Sequence, residues 1–595
     1  MKTFENTIKQ VLIQTINDLY HQTVDEKNIQ ISQTRKEFTG DFTIVVFPFV
    51  KLSATSPEAT AQQIGEAMLK KTDILSAFNV VKGFLNLSVS QQAWQLFFQD
   101  IKSSDFHFFK PENQAPCVVE FSSPNTNKPL HLGHVRNNLL GSSICNILEN
   151  NGFNVKRVNL VNDRGIHICK SMVAWLKLGN GETPASSGMK GDKLVGKYYV
   201  AFDRCYKEEI QQLVQSGKTE DEAKQEAPIL LAAQEMLRKW ENGDKEVRDL
   251  WKQMNEWVYE GFEQTYKRLG IHFDKIYYES ETYLLGKDIV AQGLANNIFY
   301  RHQDGSVRID LTQDGLDEKI LLRKDGTSVY MTQDLGTASL RAKEYAPQKM
   351  IYVVGNEQNY HFEVLKLILD KKLGFEWGKN IFHLSYGMVE LPNGKMKSRE
   401  GTVVDADDLM QEMYEVAKQN TTELGKIDQF SPQEAQQLFE MIGLGALKYF
   451  ILKVDPKKNM LFNPDESVDL NGNTAPFIQY THARICSLLQ KAKEQNIDID
   501  KNTDCAIPAA ELELLKNIYD YRNVLCQAGE DLNPALIANY TYNLVKQYNQ
   551  FYQSNKILKC EDNELRILRL QLSRLIAKLI AHAMNLLGID VPEKM

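Results

Sequence analysis

Apolar residues near the start of the chain recur at a helical spacing. Phe4, Ile8, Val11, Leu12 and Ile16 fall on one face and predict an amphipathic helix. Thr43 to Val50, TIVVFPFV, is a continuous apolar run and reads as a buried strand; FLNLSV, Phe84 to Val89, reads as another. Between them, Ser56-Pro57-Glu58 has the form of a helix start, with a serine cap and proline at the first helical position. Residues 1–110 predict a small α+β domain, and PENQAP, Pro111 to Pro116, a linker.

The pattern changes at Cys117. CVVEF reads as a short buried strand and SSPNTNKPLH as a polar loop. A helix follows, lined by Val135, Leu139, Leu140, Ile147 and Leu148, with Gly152 as its stop. NVKRVNLV is the next strand. Strand, helix and strand in close succession form a βαβ unit, which predicts a parallel sheet that binds ligands at the C-terminal ends of its strands. Residues from about 180 to 300 look helical, with Leu250, Met254, Trp257, Val258, Phe262, Tyr266 and Leu269 at steps of three and four, and read as an insertion. Strand signals return at Ile351 to Gly355 and Tyr386 to Leu391, the latter followed by an Asn393-Gly394 turn. From about 405 the chain reads as helical to Met595. The expected architecture is an α/β Rossmann-like domain over 111–405, a helical connector over 406–470 and an all-α bundle over 471–595.

The chain has 595 residues, 43% of them hydrophobic and 25% charged, enough for several buried cores. A formal net charge of -8 argues against a wholesale nucleic-acid coat and leaves room for a local basic face. The 8 cysteines contain no C-x-x-C pair, which removes support from zinc-ribbon and thioredoxin-like readings. Scattered thiols without a secretory signal fit a reducing compartment. No apolar run approaches the roughly 18 residues of a membrane span. A cytoplasmic chain without a membrane partner is expected.

The sharpest local chemistry is His131-Leu132-Gly133-His134, in the loop between the first strand of the βαβ unit and its helix. Histidines at i and i+3 of a helix start share a face, and the helix N-terminus offers free N–H groups to anions. Gly133 lets a flat ligand such as adenine approach the backbone. Imidazoles there can donate hydrogen bonds to phosphate oxygens as charge builds in a transition state. Read alone, the pair is as well explained by two surface histidines; a metal site lacks an obvious third ligand.

The surroundings add to this. Glu120 to Gly141 read EFSSPNTNKPLHLGHVRNNLLG. This is similar to the segment around the HIGH signature of arginyl-tRNA synthetases, where S-P-N, then Lys, then H-x-G-H-x-R occur in that order. Here these are Ser123, Pro124, Asn125, Lys128, His131, Gly133, His134 and Arg136. Ser328 to Gly336, SVYMTQDLG, resembles the family's Tyr-x-x-x-Asp element through Tyr330 and Asp334. Val354 to Phe362, VGNEQNYHF, resembles its Gly-x-x-Gln-x-x-His element and gives Gln358. Lys395 to Gly401, KMKSREG, falls where class I synthetases carry KMSKS. Thr474 to Leu488, TAPFIQYTHARICSL, is similar to the entry of the family's helical anticodon-binding domain.

The resemblance implies an arginine–tRNA ligase that activates L-arginine with ATP to arginyl-adenylate and transfers it to the 3′ end of tRNA(Arg). It implies Lys128, His131, His134 and Lys397 as catalytic residues. ATP contacts would come from Lys128, His131, Gly133, His134, Met396, Lys397 and Ser398, and arginine contacts from Glu120, Ser123, Asn125, His134, Tyr330, Asp334 and Gln358. A guanidinium is a planar fork of donors that pairs best with carboxylates, which suits Glu120 and Asp334. Tyr330 can pack on the arginine stem, while Ser123, Asn125 and Gln358 can hold its α-amino and carboxylate groups. Magnesium would arrive with ATP rather than in a protein cage, and no structural metal is expected. The resemblance further implies a monomer, contact of the first block with the tRNA elbow, and adenylate formation that requires tRNA.

Two departures from the family pattern stand out. Aligned with K-M-S-K-S, the chain has Lys395-Met396-Lys397-Ser398-Arg399, so Ser398 takes the second lysine position. The missing charge could come from Lys128, which by resemblance substitutes for it, or from Lys397 or Arg399. Asn162 to His167, NDRGIH, stands where the family often has Asp-x-Gly-x-Gln, with His167 in place of Gln.

Residues 471–595 hold 14 basic and 14 acidic side chains, so the bundle carries none of the net charge. Tyr540, Tyr542, Tyr548, Phe551 and Tyr552 cluster there; exposed members could stack on bases, and core packing explains most of them. Two rival readings remain, another H-x-G-H nucleotidyltransferase and a non-catalytic tRNA-binding paralogue. The long bundle disfavours the first, and intact Lys128, His131 and His134 disfavour the second.

Overall fold

A computed structural model describes residues 3–35, 37–102, 115–390, 404–423 and 429–595. They fall into two compact units. The first contains residues 3–102, 485–521 and 546–579; the second contains residues 115–484, 522–545 and 580–595.

In the first unit, a four-stranded antiparallel sheet runs in the order Ile31–Gln33, Phe42–Val45, Phe84–Val89, Leu75–Val81. The helix Phe4–Tyr20 buries Ile8, Leu12 and Ile16, as its periodicity predicts. Ser56 caps the helix Pro57–Leu69 by accepting the Ala59 N–H at 3.2 Å. The run Thr43 to Val50 is not one strand. Pairing stops at Val45, a 3₁₀ turn occupies Phe47–Phe49, and a short helix follows. Pro48 lacks the N–H a continuing ladder needs, and its fixed φ suits the turn. Phe4, Trp94, Phe97 and Tyr519 pack ring against ring, and the Tyr519 hydroxyl accepts the Phe4 N–H at 2.7 Å. Among the clustered tyrosines, Tyr548 is core and donates to Ser573 Oγ at 2.9 Å.

The second unit is built on a five-stranded, all-parallel sheet. Its order is Ile381–Tyr386, Lys349–Gly355, Pro116–Glu120, Asn154–Val161, Lys275–Tyr278. The chain starts in the middle, winds outward through its next two strands, then returns to the other side. The strand order therefore reverses beside Pro116–Glu120, where parallel α/β sheets open a ligand crevice at the strands' C-terminal ends. The helix Leu132–Asn150 follows this first strand. Gly141 on it admits Phe121, whose ring atoms a Cβ would meet at 2.2 Å.

Between Asn154–Val161 and Lys275–Tyr278 the insertion contributes the long helices Ile166–Leu178, Gly191–Gln215, Pro228–Glu241 and Lys245–Leu269. Val173, Leu194, Tyr198, Phe202 and Ile229 form their shared core. A small antiparallel sheet, Tyr300–Arg301, Val307–Ile309 and Lys319–Leu322, precedes the helix Tyr330–Tyr345. The C-terminal region is carried by the helices Ala475–Glu494, Ala509–Glu530, Ala535–Ser554 and Asn563–Leu586. No helix among the described residues is long and apolar enough to cross a membrane.

A cluster of charges joins the insertion to the helix Ala406–Glu423. Lys190 Nζ lies 2.5 Å from Asp407 Oδ2, 2.5 Å from Thr265 Oγ1 and 3.2 Å from Asp192 Oδ2. Asp192 is fully buried; burial pushes its carboxyl up to about 6 against the pull of Lys190. With the folded pKa raised, the stability this group contributes is fully present below its unfolded value of 3.8 and is lost as pH rises through about 6. Asp192→Asn removes that loss. Its thermal stability at pH 8 should exceed the parent's by up to about 3 kcal/mol, and the advantage should vanish toward pH 4. Melting curves across that range check this, and a difference independent of pH rejects it.

Candidate active site

The helix Leu132–Asn150 begins with a cap made from its own signature residues. The Gly133 N–H donates to His131 Nδ1 at 3.2 Å, and the His131 N–H donates to His134 Nδ1 at 3.2 Å. The two rings lie 3.9 Å apart, centroid to centroid. A nitrogen that accepts carries no proton, so both imidazoles are the neutral tautomer with hydrogen on Nε2. Burial, then the nearby Lys128 ammonium, lowers His131 to about 4. Burial, His131 and Lys128 hold His134 well below the usual histidine range. Both rings are neutral Nε2–H donors throughout the physiological range. Lys128, half-buried in the same loop, is itself lowered by burial.

Arg136, one turn further, faces inward. Its guanidinium donates to the carbonyls of Met388 at 2.9 Å, Pro456 at 3.1 Å and Lys458 at 2.7 Å. It is a fully buried staple between this helix, the chain after Ile381–Tyr386 and the 456–458 turn. The chain at Val404 to Ala406 is also held here: the Leu132 N–H donates to Val404 O at 3.1 Å, and the Ala406 N–H to Leu130 O at 2.9 Å. Met396, Lys397 and Ser398 lie outside the described residues.

The other candidates sit at or just beyond the C-terminal strand ends. Glu120 ends the strand Pro116–Glu120; its Oε1 accepts from Ser123 Oγ at 3.1 Å. Its Oε2 is paired with Arg341, a buried guanidinium set between the rings of Tyr277 and Tyr352. Asn125 is exposed, and its segment pairs with the next strand end: the Thr126 N–H donates to Asn162 O at 3.2 Å and the Asn162 N–H to Pro124 O at 2.9 Å. Tyr330 opens the helix Tyr330–Tyr345 and is 75% exposed. One turn on, Asp334 Oδ2 lies 2.5 Å from His361 Nε2. Gln358 is exposed in the 3₁₀ turn after the strand Lys349–Gly355. The strand ends thus carry Glu120, engaged on both oxygens, and the helix beside them Asp334, in contact with His361.

Sequence reasoning missed Arg341, although it lies two turns after Asp334 on the same helix face. It also left open the loop Asp163 to His167, which the structure makes architectural. The Asp163 carboxylate accepts from Ser280 N at 2.8 Å, Ser280 Oγ at 2.6 Å and Tyr259 OH at 3.1 Å, while its carbonyl accepts from Trp251 Nε1 at 2.6 Å. His167 Nδ1 lies 3.0 Å from the Tyr199 hydroxyl.

Comparison with known proteins gives the family. Residues 98–463 match the family described as tRNA synthetases class I (R), catalytic domain. Residues 478–595 match the DALR anticodon binding domain, and residues 6–89 the arginyl tRNA synthetase N terminal domain. The chain is 56% identical over 595 residues to the arginine–tRNA ligase of Bacteroides thetaiotaomicron, covering 99% of this chain and 100% of that one. It is 54% identical over 584 residues to that of Porphyromonas gingivalis, covering 98% of each. Its fold matches the arginyl-tRNA synthetase of Thermus thermophilus with a TM-score of 0.80 at 21% identity, over 100% of both chains. The shared catalytic, N-terminal and anticodon-binding matches, with full-length relatives at more than half identity, place the chain in the class I arginyl-tRNA synthetase family.

Proposed function

We propose that Lys128, His131, Gly133 and His134 hold ATP while Glu120, Ser123, Asn125, His134, Tyr330, Asp334 and Gln358 hold arginine, in one adenylation site at the strand ends. The reaction itself is that of an arginine–tRNA ligase, with ATP, arginine and tRNA as its substrates. The observation that carries the assignment of roles is the mutual cap of His131 and His134, which leaves two neutral Nε2–H donors beside a helix N-terminus.

In the first step an arginine carboxylate oxygen attacks the α-phosphorus of ATP, the bond to the bridging oxygen breaks, and pyrophosphate leaves. Charge grows on phosphate oxygens, where Nε2–H groups and the Lys128 ammonium can meet it without reorganising. In the second step the terminal ribose hydroxyl of tRNA attacks the arginyl carbonyl and AMP leaves. Glu120 is already engaged by Arg341 and Ser123, so it offers a fixed acceptor, while Asp334 is the less encumbered carboxylate for the guanidinium. ATP enters as its magnesium complex. The chain acts as a monomer in the cytoplasm; its free cysteines suit that compartment.

The direct test is pyrophosphate exchange across amino acids, with and without tRNA. Arginine alone should support exchange, and only with tRNA present; strong exchange without tRNA contradicts the second half. Asp334→Asn keeps the shape and removes the charge. Arginine binding should weaken by about 2–5 kcal/mol, read as a rise in arginine KM with ATP KM little changed; an unaltered arginine KM sinks the assignment. Lys128→Ala should lower kcat for adenylation by roughly 10²–10³ with arginine affinity retained, and Lys397→Ala and Arg399→Ala should each be milder. The reverse ranking moves the compensating charge to the Lys395 to Gly401 segment.

A further inference from the structure

The chain leaves the strand Pro116–Glu120 through two successive residues in the left-handed region: Ser122 has φ 76° and Ser123 has φ 45°. Neither is glycine, and one such residue is already uncommon. Something must therefore hold the turn, and two buried side chains do. The Ser122 N–H donates to Oδ1 of Asn137, and the Ser123 N–H donates to Oδ1 of Asn159 at 3.0 Å. Asn137 is 6% exposed and Asn159 0%.

Both amides are themselves held. Asn137 Nδ2 donates to Val353 O at 2.7 Å and to Tyr386 OH at 3.2 Å, on the neighbouring strands. Asn159 Nδ2 reaches Tyr266 OH at 3.4 Å, and that hydroxyl shares a 2.7 Å hydrogen bond with Ser122 Oγ. The turn so fixed folds Ser123 Oγ back onto Glu120 and sends Pro124 and Asn125 along Asn162.

We infer that Asn137 and Asn159 are positioning residues of the adenylation reaction, clamping the Ser122-Ser123 turn so that the arginine-side groups it carries are set before substrate binds. The inference rests on the proposed roles of Glu120, Ser123 and Asn125. Neither amide touches substrate; each acts through a backbone N–H.

Glycine takes φ 76° at no cost, which gives a test that a merely structural asparagine would not pass. Four proteins are compared by tRNA-supplied pyrophosphate exchange and by thermal melting: the parent, Asn137→Ala, Ser122→Gly and the double variant. Asn137→Ala should lose about 10²-fold in kcat/KM for arginine, the scale of a displacement near 1 Å at a reacting site, with arginine KM moving more than ATP KM. Ser122→Gly alone relieves the φ 76° strain but gives up the Oγ bond to Tyr266, so it should lose less than Asn137→Ala does, and the double variant should regain about tenfold or more over Asn137→Ala. If Asn137→Ala does not fold, the double variant must still fold and turn over. Parent-like kcat/KM in Asn137→Ala, or a double variant no better than the single one, overturns the inference. A parent with no arginine-dependent exchange instead overturns the functional reading, so the two failures are distinguishable.

Discussion

The start of the helix Leu132–Asn150 is a constraint on charge before it is a binding site. Its first backbone N–H groups need acceptors, and the two histidines supply them through Nδ1. An imidazole that accepts in this way cannot be an imidazolium, so the cap and the neutral state are one fact. Burial and the Lys128 ammonium push in the same direction. The proposed site consequently presents neutral donors together with one cation, rather than three cations. Such an arrangement can meet charge that grows during phosphoryl displacement without binding resting phosphate so tightly that the gain is lost.

A second constraint is electrostatic and concerns the substrate. In the proposed site, a pocket for arginine needs negative charge, yet a bare buried carboxylate is costly. Arg341 resolves this at Glu120 by supplying a permanent guanidinium from within the fold, backed by the faces of Tyr277 and Tyr352. The cost of that solution is that Glu120 no longer has a full charge to offer. In the proposed site Asp334, with His361 as its neighbour, is then left to carry more of the discrimination. The two carboxylates look alike in sequence and differ in what each has left to give.

Much of this was legible beforehand, and the exceptions share a cause. The βαβ unit, the parallel sheet and the helical insertion follow from local periodicity, which depends on neighbours in sequence. The HLGH element follows from its own residues and from resemblance, and the Tyr330–Asp334 and Gln358 elements from resemblance. Arg341, Asn137 and Asn159 were not found, because each matters through a partner distant in sequence: Glu120, the Ser122 N–H and the Ser123 N–H. Nothing in a run of residues announces that two serines will be left-handed. Pro48 is a different miss. Hydrophobicity favoured a strand through Val50, and a single missing N–H ended it at Val45. His167 looked like a damaged motif, whereas the neighbouring Asp163 proves to be the loop's organising residue, tied to Ser280, Tyr259 and Trp251.

Those ties also connect the insertion to the proposed site. Asp163 joins the end of the strand Asn154–Val161 to the helix Lys245–Leu269, and Tyr266 on that helix reaches both Ser122 and Asn159. At its other side the insertion holds Asp407 through Lys190, two residues after the chain that pairs with His131. The Ser122-Ser123 turn is thus braced directly from these helices, and the signature helix through the segment that pairs with His131, by hydrogen bonds that are few and at least partly buried. Buried polar contacts of this kind contribute little net stability when complete and cost far more when one partner is lost. A conservative change inside the insertion should therefore register at the site as altered geometry before it registers as unfolding.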